Sequence, residues 1–397
     1  MSIFEESIEF HRKHGGKLDI NPKFKIESKH DLSLAYTPGV AGVCEAIAKD
    51  PSLAYDLTIK KNTVAIVTDG SAVLGLGNIG ASGSIPVMEG KALLFKEYAG
   101  IDAFPICIES QNTSEIVNIV KNLTSIFGGI NLEDIAAPKC FEIETMLQDI
   151  GIPVFHDDQH GTAIVTLAAL LNATKLANKD IRDLKVVING AGAAGSAIAD
   201  MLLKMNYLGE ETKSVKEIII CDSKGAIYES RSDLSENPSK LRLARKTNRN
   251  NVQGSLADAL VDADVFIGVS VADAVTKSMV ESMAKDPIIF AMANPIPEIM
   301  PDIAKSAGAF IVGTGRSDFP NQVNNVLAFP GIFRGAIDAK AKQFTHDMKL
   351  AATEAIANSV GHNLDVDNIL PPVLDKKVPY IVAEKVKETY LNSLKKS

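Results

Sequence analysis

The sequence predicts an α/β fold with two domains, each built on a mainly parallel sheet. Short runs of β-branched residues alternate with amphipathic stretches along most of the chain, which is the pattern of parallel strands joined by helices. The chain has 397 residues, more than a single hydrophobic core usually organises. We therefore divide it into an N-terminal α/β domain (1–160), a Rossmann-type doubly wound domain (161–340) and a C-terminal helical segment (341–397) that packs back on the first domain.

Four strands are predicted in the first domain and five in the second. The first four cover residues 63–68, 103–108, 130–132 and 152–155. A helical segment from about residue 161 leads to the second series, at 185–189, 217–221, 264–269, 287–293 and 309–314. Residues 223–249 have the most loop-like composition, and the last 60 residues are predicted to be helical with a break at Pro371-Pro372.

The composition argues against several classes of partner. A formal net charge of -8 disfavours nucleic acid and anionic membrane surfaces. No apolar stretch is long enough to span a membrane, and the N-terminus has no apolar core of a signal peptide. The four cysteines form no CxxC pair, so we expect neither a zinc site nor a disulfide framework. A cytoplasmic protein with a small-molecule substrate is the expectation.

A glycine-rich turn follows the first strand of the second domain. It places Gly190, Gly192 and Gly195 in a GxGxxG pattern between a strand and a helix that begins near Ala193 and Ala194. In this setting the glycines permit a tight turn, close approach of a pyrophosphate and close packing of helix on strand, and the helix N-terminus offers free N–H groups. The motif predicts NAD or NADP binding, although glycine-rich turns without ligands also occur.

The next strand ends at Asp222, where a carboxylate can accept hydrogen bonds from the adenosine ribose. This favours NAD over NADP. Two features leave NADP open: Lys224 can meet a 2′-phosphate, and Asp222 lies further from the glycines than the usual spacing of ~20 residues. We attribute the extra length to a loop around residues 209–215.

Two acidic pairs, Glu133-Asp134 and Asp157-Asp158, follow neighbouring predicted strands. The segment between them is predicted to be a helix with Pro138 in its first turn and Gly151 at its C-terminal end. A right-handed crossover brings both pairs to one carboxyl edge of the sheet. Crowded carboxylates repel one another unless a cation is bound, and oxygen ligands suit Mg²⁺ or Mn²⁺. The alternative is that these acids are solvated strand ends and helix caps.

Four further residues are candidates with ordinary structural alternatives. Lys91 lies on a helix after the glycine-rich segment 69–80, and we expect burial and a nearby metal to lower its pKa toward that of a base, although a surface lysine is equally compatible. Tyr36 precedes Thr-Pro-Gly and can serve as a turn anchor or as a proton donor. His156 and His160 flank the acidic pair, and we interpret them as packing or supporting groups.

The combination of motifs resembles the malic enzyme family. LAYTPGVA, VTDGSAVLGLGNIG, MEGKALLFK, NLEDI, FHDDQHGTA, INGAGAAG, ANPIPE and NNVLAFPG occur in order from about residue 20 to residue 335. The resemblance is to the short bacterial-type enzymes. It implies oxidative decarboxylation of malate to pyruvate and CO₂ with NAD(P), a divalent metal and a homodimer.

The resemblance also implies roles for individual residues. Tyr36 matches the general acid, Lys91 the general base, and Asp157 an acid near the metal and the lysine. Glu133, Asp134 and Asp158 match the metal ligands. The cofactor positions are Gly190, Gly192, Ala193, Ala194, Gly195, Asp222 and Asn294, and the substrate positions are Ser71, Asn294, Asn324 and Asn325.

One position departs from the longer eukaryotic-type enzymes, which have a substrate-binding arginine where this chain has Ala72. The short bacterial-type enzymes share this departure. Backbone N–H groups and Ser71 of the glycine-rich turn, with the asparagines, are our candidates for binding the substrate carboxylate. Two alternative functions stay open: malolactic conversion of malate to lactate with retained NAD, and metabolite binding without catalysis on the same scaffold.

Overall fold

A computed structural model describes residues 2–73, 75–204 and 215–396. Two sheets of mainly parallel strands with helices on their faces confirm the predicted α/β class. All nine predicted strands are present, with each boundary within two residues of its predicted position. The expected loop at residues 209–215 falls, except for Val215, outside the described residues.

The first half of the chain builds a four-stranded parallel sheet. Its elements are α1 (Ile3–His14), α2 (Lys29–Ala35), α3 (Val40–Lys49), α4 (Ala54–Leu57), β1 (Thr63–Thr68), α5 (Gly80–Ala99), β2 (Asp102–Cys107), α6 (Thr113–Leu123), β3 (Gly129–Leu132), α7 (Lys139–Met146), β4 (Val154–His156) and α8 (Asp157–Leu176). The strand order is β2-β1-β3-β4. The order reverses between β1 and β3, and crevices for ligands form at the carboxyl ends of such strands.

The second half builds a six-stranded sheet. Its elements are β5 (Lys185–Asn189), α9 (Ala193–Leu203), β6 (Glu217–Asp222), β7 (Gly225–Ala226), α10 (Pro238–Lys246), α11 (Leu256–Leu260), β8 (Val265–Gly268), α12 (Lys277–Glu281), β9 (Ile288–Ala291), α13 (Pro301–Ser306), β10 (Ile311–Thr314), α14 (Phe329–Asp338), α15 (His346–Asn358) and α16 (Val378–Lys396). The order is β10-β9-β8-β5-β6-β7, with only the short β7 antiparallel. Its reversal lies between β5 and β8.

Three boundaries differ from the sequence prediction. The helix expected from about residue 161 begins at Asp157, so both aspartates lie in its first turn, where the helix dipole favours negative charge. The helix expected to end at Gly151 ends at Met146, and Gly151 instead takes a positive φ in the following turn. The loop-like stretch 223–249 contains β7 and α10, because Asn237 caps a helix that begins at Pro238.

The C-terminal helices join the two halves of the molecule. α16 packs against α14 and α15, and α14 packs against α5 of the first half. Phe95 of α5 meets two phenylalanines of α14, with ring centroids 4.8 Å from Phe329 and 5.3 Å from Phe333. These edge-to-face contacts place α5 firmly against α14. No described helix is both long and apolar enough to cross a membrane.

The N-terminal helices lie on the surface. α1, α2 and α3 contain no buried residue, although several large apolar side chains are present. The side chain of Ile20 is 83% exposed, that of Phe4 78% and that of Phe24 64%. Lys17 attaches this segment to α5 through a 2.8 Å hydrogen bond to the carbonyl of Pro86. An apolar surface of this kind is typical of a protein interface.

Candidate active site

Four acidic side chains meet at the carboxyl ends of β3 and β4. The two strands are parallel neighbours, with Leu132 opposite His156, so the residues that follow them share one edge of the sheet. Ligand oxygens of Glu133, Asp134 and Asp158 all lie within 4.8 Å of one another. The geometry therefore brings together the three residues predicted as metal ligands, and Asp157 lies beside them at the start of α8.

Hydrogen bonds fix this acidic cluster in place. The backbone N–H of Asp134 donates to Oδ2 of Asp158 over 2.8 Å, which links the two strand ends directly. Asn131 donates to Oε2 of Glu133 over 2.7 Å. Asp134 has a φ of 53°, a left-handed conformation that aspartate tolerates better than most residues. The carboxylates are held close despite their mutual repulsion.

Burial and repulsion make these carboxyl groups unusually basic. Desolvation raises the pKa of Glu133 to about 7, with Lys91 opposing the shift and Asp158 adding to it. Desolvation similarly raises the pKa of Asp158 to about 6. Burial makes the negative charge of these carboxylates unfavourable unless a cation is bound. Their oxygen atoms are suitable ligands for a hard divalent cation such as Mg²⁺ or Mn²⁺. Three protein ligands would leave coordination positions for a chelating substrate.

Lys91 lies between two of the acids. Its ammonium nitrogen is 2.5 Å from Oδ2 of Asp157 and 2.9 Å from Oε1 of Glu133, and the side chain is buried. The ammonium also lies 4.1 Å from the ring centroid of Phe329. We expected its pKa to be lowered. Burial alone does lower it, but the carboxylates of Asp157 and Glu133 outweigh burial and raise the pKa of Lys91 above its ordinary value.

Asp157 connects the acidic cluster to the second half of the chain. Its Oδ2 accepts hydrogen bonds of 2.5 Å from Lys91 and 2.5 Å from Nδ2 of Asn325. Desolvation raises the pKa of Asp157 to about 7, although Lys91 opposes the shift. A Cβ on Gly161 would lie 1.8 Å from Oδ1 of Asp157, so only glycine fits one turn further along α8. Asn325, a predicted substrate position, therefore lies beside the acidic cluster.

The two histidines near the acidic pair occupy different environments. His156 is fully buried with Nδ1 3.7 Å from Oδ2 of Asp158, and desolvation lowers its pKa to about 4. His160 bonds through Nε2 to Oε1 of Glu144 over 2.8 Å and packs on the ring of Phe155. Both positions agree with the interpretation of packing or supporting groups.

The glycine-rich turn after β1 reaches the same edge of the sheet. The N–H of Ala72 donates to the carbonyl of Asp134 over 2.9 Å. Ser71 is buried, donating its hydroxyl to Asp69 over 2.6 Å and accepting from the N–H of Ala136 over 2.9 Å. The Ser71 hydroxyl therefore already bonds to two groups that hold the turn against the strand end after β3.

The remaining substrate candidates lie at the ends of the second sheet. Asn294 follows β9, and its carbonyl would lie 3.0 Å from a Cβ on Gly75, so the two halves of the chain approach closely there. A Cβ on Gly315 would lie 2.9 Å from Nδ2 of Asn294. Asn324 uses its Oδ1 to cap a short turn, accepting from the N–H of Val326 over 3.0 Å.

Tyr36 is not brought into the acidic cluster of this chain. It ends α2, and 67% of its surface is exposed. Among the described residues, the hydrogen bonds of Tyr36 are made by its backbone, which donates to Leu32 and accepts from Val40. Its predicted role as a proton donor therefore needs either a movement of this segment or a second chain.

The dinucleotide motif has three glycines in three distinct environments. Gly190 has a φ of 126°, and a Cβ there would lie 2.6 Å from the carbonyl of Val269, across the reversal point of the sheet. A Cβ on Gly195 would lie 1.8 Å from the carbonyl of Gly190. Gly192 has open space around it and precedes Ala193 and the rest of α9, whose N-terminus has no side-chain cap. Ala193 and Ala194 form the first turn of that helix. The turn is shaped to receive a pyrophosphate.

Asp222 ends β6, but its carboxylate is already bonded. Arg231 and Lys240 each donate to Oδ2 over 2.6 Å, and the side chain is nearly buried. Burial alone would raise the pKa of Asp222, but these hydrogen bonds hold it well below its usual range. Two cations beside the ribose position are compatible with a 2′-phosphate. The choice between NAD and NADP therefore stays open at this position.

Three supporting residues were not singled out in the sequence. Asn131 holds Glu133, Phe329 lies on Lys91, and Lys139 pairs with Asp69 below the glycine-rich turn. Asn131 carried a detectable signal, since it is a polar residue in an apolar, fully buried strand. Phe329 lies within the NNVLAFPG motif, but neither its contact with Lys91 nor that of Lys139 with Asp69 could be predicted, because both contacts depend on how separate elements pack.

A Rossmann-type sheet facing a buried acidic cluster defines a dinucleotide-dependent oxidoreductase. Comparison with known proteins gives the particular family. The malic enzyme N-terminal domain matches residues 16–118, and the malic enzyme NAD binding domain matches residues 159–390. The chain belongs to the malic enzyme family.

Individual relatives agree with this assignment. The bifunctional malic/malolactic enzyme of Bacillus subtilis is 57% identical over 97% of this chain and 92% of its own length. The NAD-dependent malic enzyme of Geobacillus stearothermophilus is 54% identical over 94% of this chain and 76% of its own length. The crystal structure of the NAD-dependent malic enzyme from Thermotoga maritima is 49% identical, with a TM-score of 0.91 over 96% of this chain and 98% of that chain.

Proposed function

We propose that this protein catalyses the metal-dependent oxidative decarboxylation of L-malate to pyruvate and CO₂, with reduction of NAD or NADP. The observation that carries the proposal is the buried contact of Lys91 with Asp157 and Glu133, beside three carboxylates suited to one cation. Asn325 and the Asn294 loop bring the dinucleotide-binding half to the same place.

Lys91 acts as the general base and removes the proton of the substrate hydroxyl. Glu133, Asp134 and Asp158 would hold a divalent cation, which would supply Lewis acidity and offset the negative charge that holds the pKa of Lys91 up. The turn at residues 190–195 would hold the dinucleotide, whose nicotinamide would take up the hydride. Asp157 positions Lys91 and stabilises the ammonium that forms when the lysine takes the substrate proton.

The substrate carboxylates need neutral donors, because Ala72 stands where longer enzymes have an arginine. We propose that Asn294, Asn324 and Asn325 supply amide donors and that the glycine-rich turn supplies N–H groups. Ser71 orients that turn through its bonds to Asp69 and Ala136.

Tyr36 is the proposed acid that protonates C3 of the enolate, and a homodimer is the proposed assembly. The support for the dimer is the exposed apolar surface of residues 3–36, on which Tyr36 also lies. A second copy that covers this surface also covers Tyr36 and completes the site. Division into domains at residues 160 and 340, and a cytoplasmic location, stay predictions from the sequence.

Steady-state kinetics test the proposed function. Malate is supplied with NAD or NADP and Mn²⁺, while reduced cofactor, pyruvate and lactate are measured. We expect stoichiometric reduced cofactor and pyruvate, loss of turnover in EDTA and recovery with Mn²⁺. Lactate without net reduced cofactor would assign malolactic chemistry instead. Saturable malate binding without turnover in Mn²⁺ would assign a metabolite-binding role.

A further inference from the structure

A cavity of about 190 Å³ with both polar and apolar lining lies outside the proposed active site, among α8, α9, α10 and α15. This volume is enough for several water molecules or a small organic anion. Gln159, Ser196, Lys204 and Lys349 line it, with Arg242 at one side. None of these residues has a part in the chemistry proposed above.

Of the basic side chains that line the cavity, Arg242 forms an ion pair, whereas Lys204 and Lys349 form none with the described residues. Arg242 is bonded to Asp200 over 2.7 Å. By contrast, the side chains of Lys204, which is exposed, and Lys349 form no hydrogen bond or ion pair within the described part of the chain. Burial lowers the pKa of Lys349 to about 8, and the attraction of Glu144 and Asp200 offsets only part of that effect. The cavity therefore has two lysines without a directly bonded counter-ion.

Two buried donors in the same cavity also lack partners. Nε2 of Gln159 and Oγ of Ser196 are buried without a hydrogen bond within the described residues. Their residues are only 4% and 1% exposed. Most buried polar groups are satisfied, and leaving one unpaired is unfavourable. A negatively charged acceptor in the cavity would satisfy the amide and the hydroxyl and would also attract the two lysines.

We propose that this cavity binds a small oxyanion bearing phosphate or carboxylate groups, and that its occupancy regulates the active site. Lys349 and Lys204 supply charge, and Gln159 and Ser196 supply hydrogen bonds. The cavity is distinct from the proposed substrate site, because it is lined by residues that follow Asp157-Asp158 on α8 and by α9 and α15 rather than by the acidic cluster.

The connection to the active site runs through Glu144. This carboxylate bonds His160, which lines the cavity, and it also accepts from the backbone N–H of His156 over 3.3 Å. His156 immediately precedes Asp157. An anion in the cavity competes with Glu144 for the electrostatic attraction of Lys349, and so alters the hydrogen bond that Glu144 accepts from the backbone of His156, the residue before α8. We expect occupancy to change the KM for malate at least twofold.

The binding test uses inorganic phosphate and glutarate as separate probes of the two chemistries. Calorimetry is done without malate, metal or cofactor, at an ionic strength matched with NaCl, so its result does not depend on the proposed function. We expect one probe to bind saturably, and Lys349→Met and Lys204→Met each to weaken it at least tenfold. Lys342→Met, an exposed lysine outside the cavity, is the matched control and should bind normally.

Several outcomes would overturn the proposal. Absence of saturable binding of both probes, or unchanged binding in both cavity variants, rules out the anion site. Loss of binding in Lys91→Ala with retention in Lys349→Met would place the anion in the active site instead. Binding with a malate KM that does not respond to the probe in wild type rules out the regulatory role. Melting temperatures of the variants, which should not fall below that of wild type because neither lysine forms an ion pair, exclude unfolding as a cause.

Discussion

The ammonium nitrogen of Lys91 lies 2.5 Å from Oδ2 of Asp157, in a buried ion pair between residues 66 positions apart. One residue comes from the middle of α5 and the other from the start of α8. Because Asn325 bonds the same oxygen, this pair joins the acidic half of the molecule to the dinucleotide-binding half. A reaction that needs a base next to both the acidic cluster and the dinucleotide-binding half would therefore take place at this contact.

Lys91→Ala should reduce kcat for malate oxidation by about 10²–10⁴-fold, the range that general acid–base catalysis contributes. NAD(P) affinity should change little, because the glycines of the turn after β5 lie on other elements. Loss of the partner of Asp157 and Glu133 should also lower the free energy of unfolding by about 3 kcal/mol. Lys96→Ala, an exposed lysine on the same helix, is the control in kinetics, cofactor titration and urea unfolding. Normal turnover in Lys91→Ala would remove Lys91 from the mechanism.

The acidic cluster was predictable from the sequence because strands and their ends are local signals. Glu133-Asp134 and Asp157-Asp158 follow apolar runs, and the parallel connection alone brings such ends together. The 2.5 Å contacts of Asp157 with Lys91 and Asn325 were not predictable in their geometry. They depend on how α5 and the turn before α14 are rotated against the sheet, which no short sequence window contains.

The charged groups that surround Lys91 and Asp222 could not be predicted from the sequence either. Lys91 was expected to have a lowered pKa, since burial was visible from the apolar run around it. The direction reverses because two carboxylates lie within 3 Å of the ammonium. Likewise, Asp222 was read as a free ribose acceptor, whereas Arg231 and Lys240 lie 9 and 18 residues further along and fold back on it.

Two glycines of the dinucleotide turn should respond differently to alanine. Gly192→Ala has room for its Cβ, so the melting temperature should be unchanged while NAD(P) affinity falls, because the methyl group lies where the backbone must approach the pyrophosphate. Gly195→Ala puts a Cβ 1.8 Å from the carbonyl of Gly190 and should cost about 1–3 kcal/mol in the free energy of unfolding. Fluorescence titration with NADH and thermal unfolding separate the two effects. Equal loss of stability in both variants would contradict this interpretation.

Lys240 should support NADP more than NAD. In Lys240→Met the kcat/KM for NADP should fall about tenfold or more, since a hydrogen bond to a charged group contributes about 1.5–3 kcal/mol. The kcat/KM for NAD should hold or rise, because an oxygen of Asp222 becomes available to the ribose. Lys246→Met, exposed at the end of the same helix, is the matched control. Parallel losses for both cofactors would show that Lys240 supports the fold rather than cofactor choice.

The N-terminal apolar surface should mediate the homodimer. Sedimentation should give twice the chain mass of 42.4 kDa for wild type. Phe24→Glu introduces a charge at a side chain that is 64% exposed, so the chain should fold normally but dissociate more readily. Leu374→Glu, at an exposed apolar residue remote in sequence, should leave the mass unchanged. A Phe24→Glu protein that stays dimeric would place the interface elsewhere.

The contribution of Lys349 to the free energy of unfolding should increase as the pH rises from 8 to 10.5. Burial lowers its pKa to about 8 in the folded state, from 10.5, and the charged groups that face it are Glu144, Lys204 and Asp200. Between pH 8 and 10.5 the folded state therefore binds fewer protons than the unfolded state, so this residue's contribution to the free energy of unfolding rises with pH. Below pH 8 the buried charge is fully present and destabilises the fold.

Lys349→Met removes that charge and should be more stable than wild type at pH 7, with the advantage shrinking as the pH approaches 10.5. Urea unfolding of both proteins at pH 7, 8.5 and 10, in buffers without phosphate, measures the difference directly. A difference that stays constant with pH would mean that the lysine is not charged in an unfavourable environment. Adding the anion that binds the cavity at pH 7 should narrow the gap, because the counter-ion stabilises the wild-type ammonium but has no charge to bind in the variant.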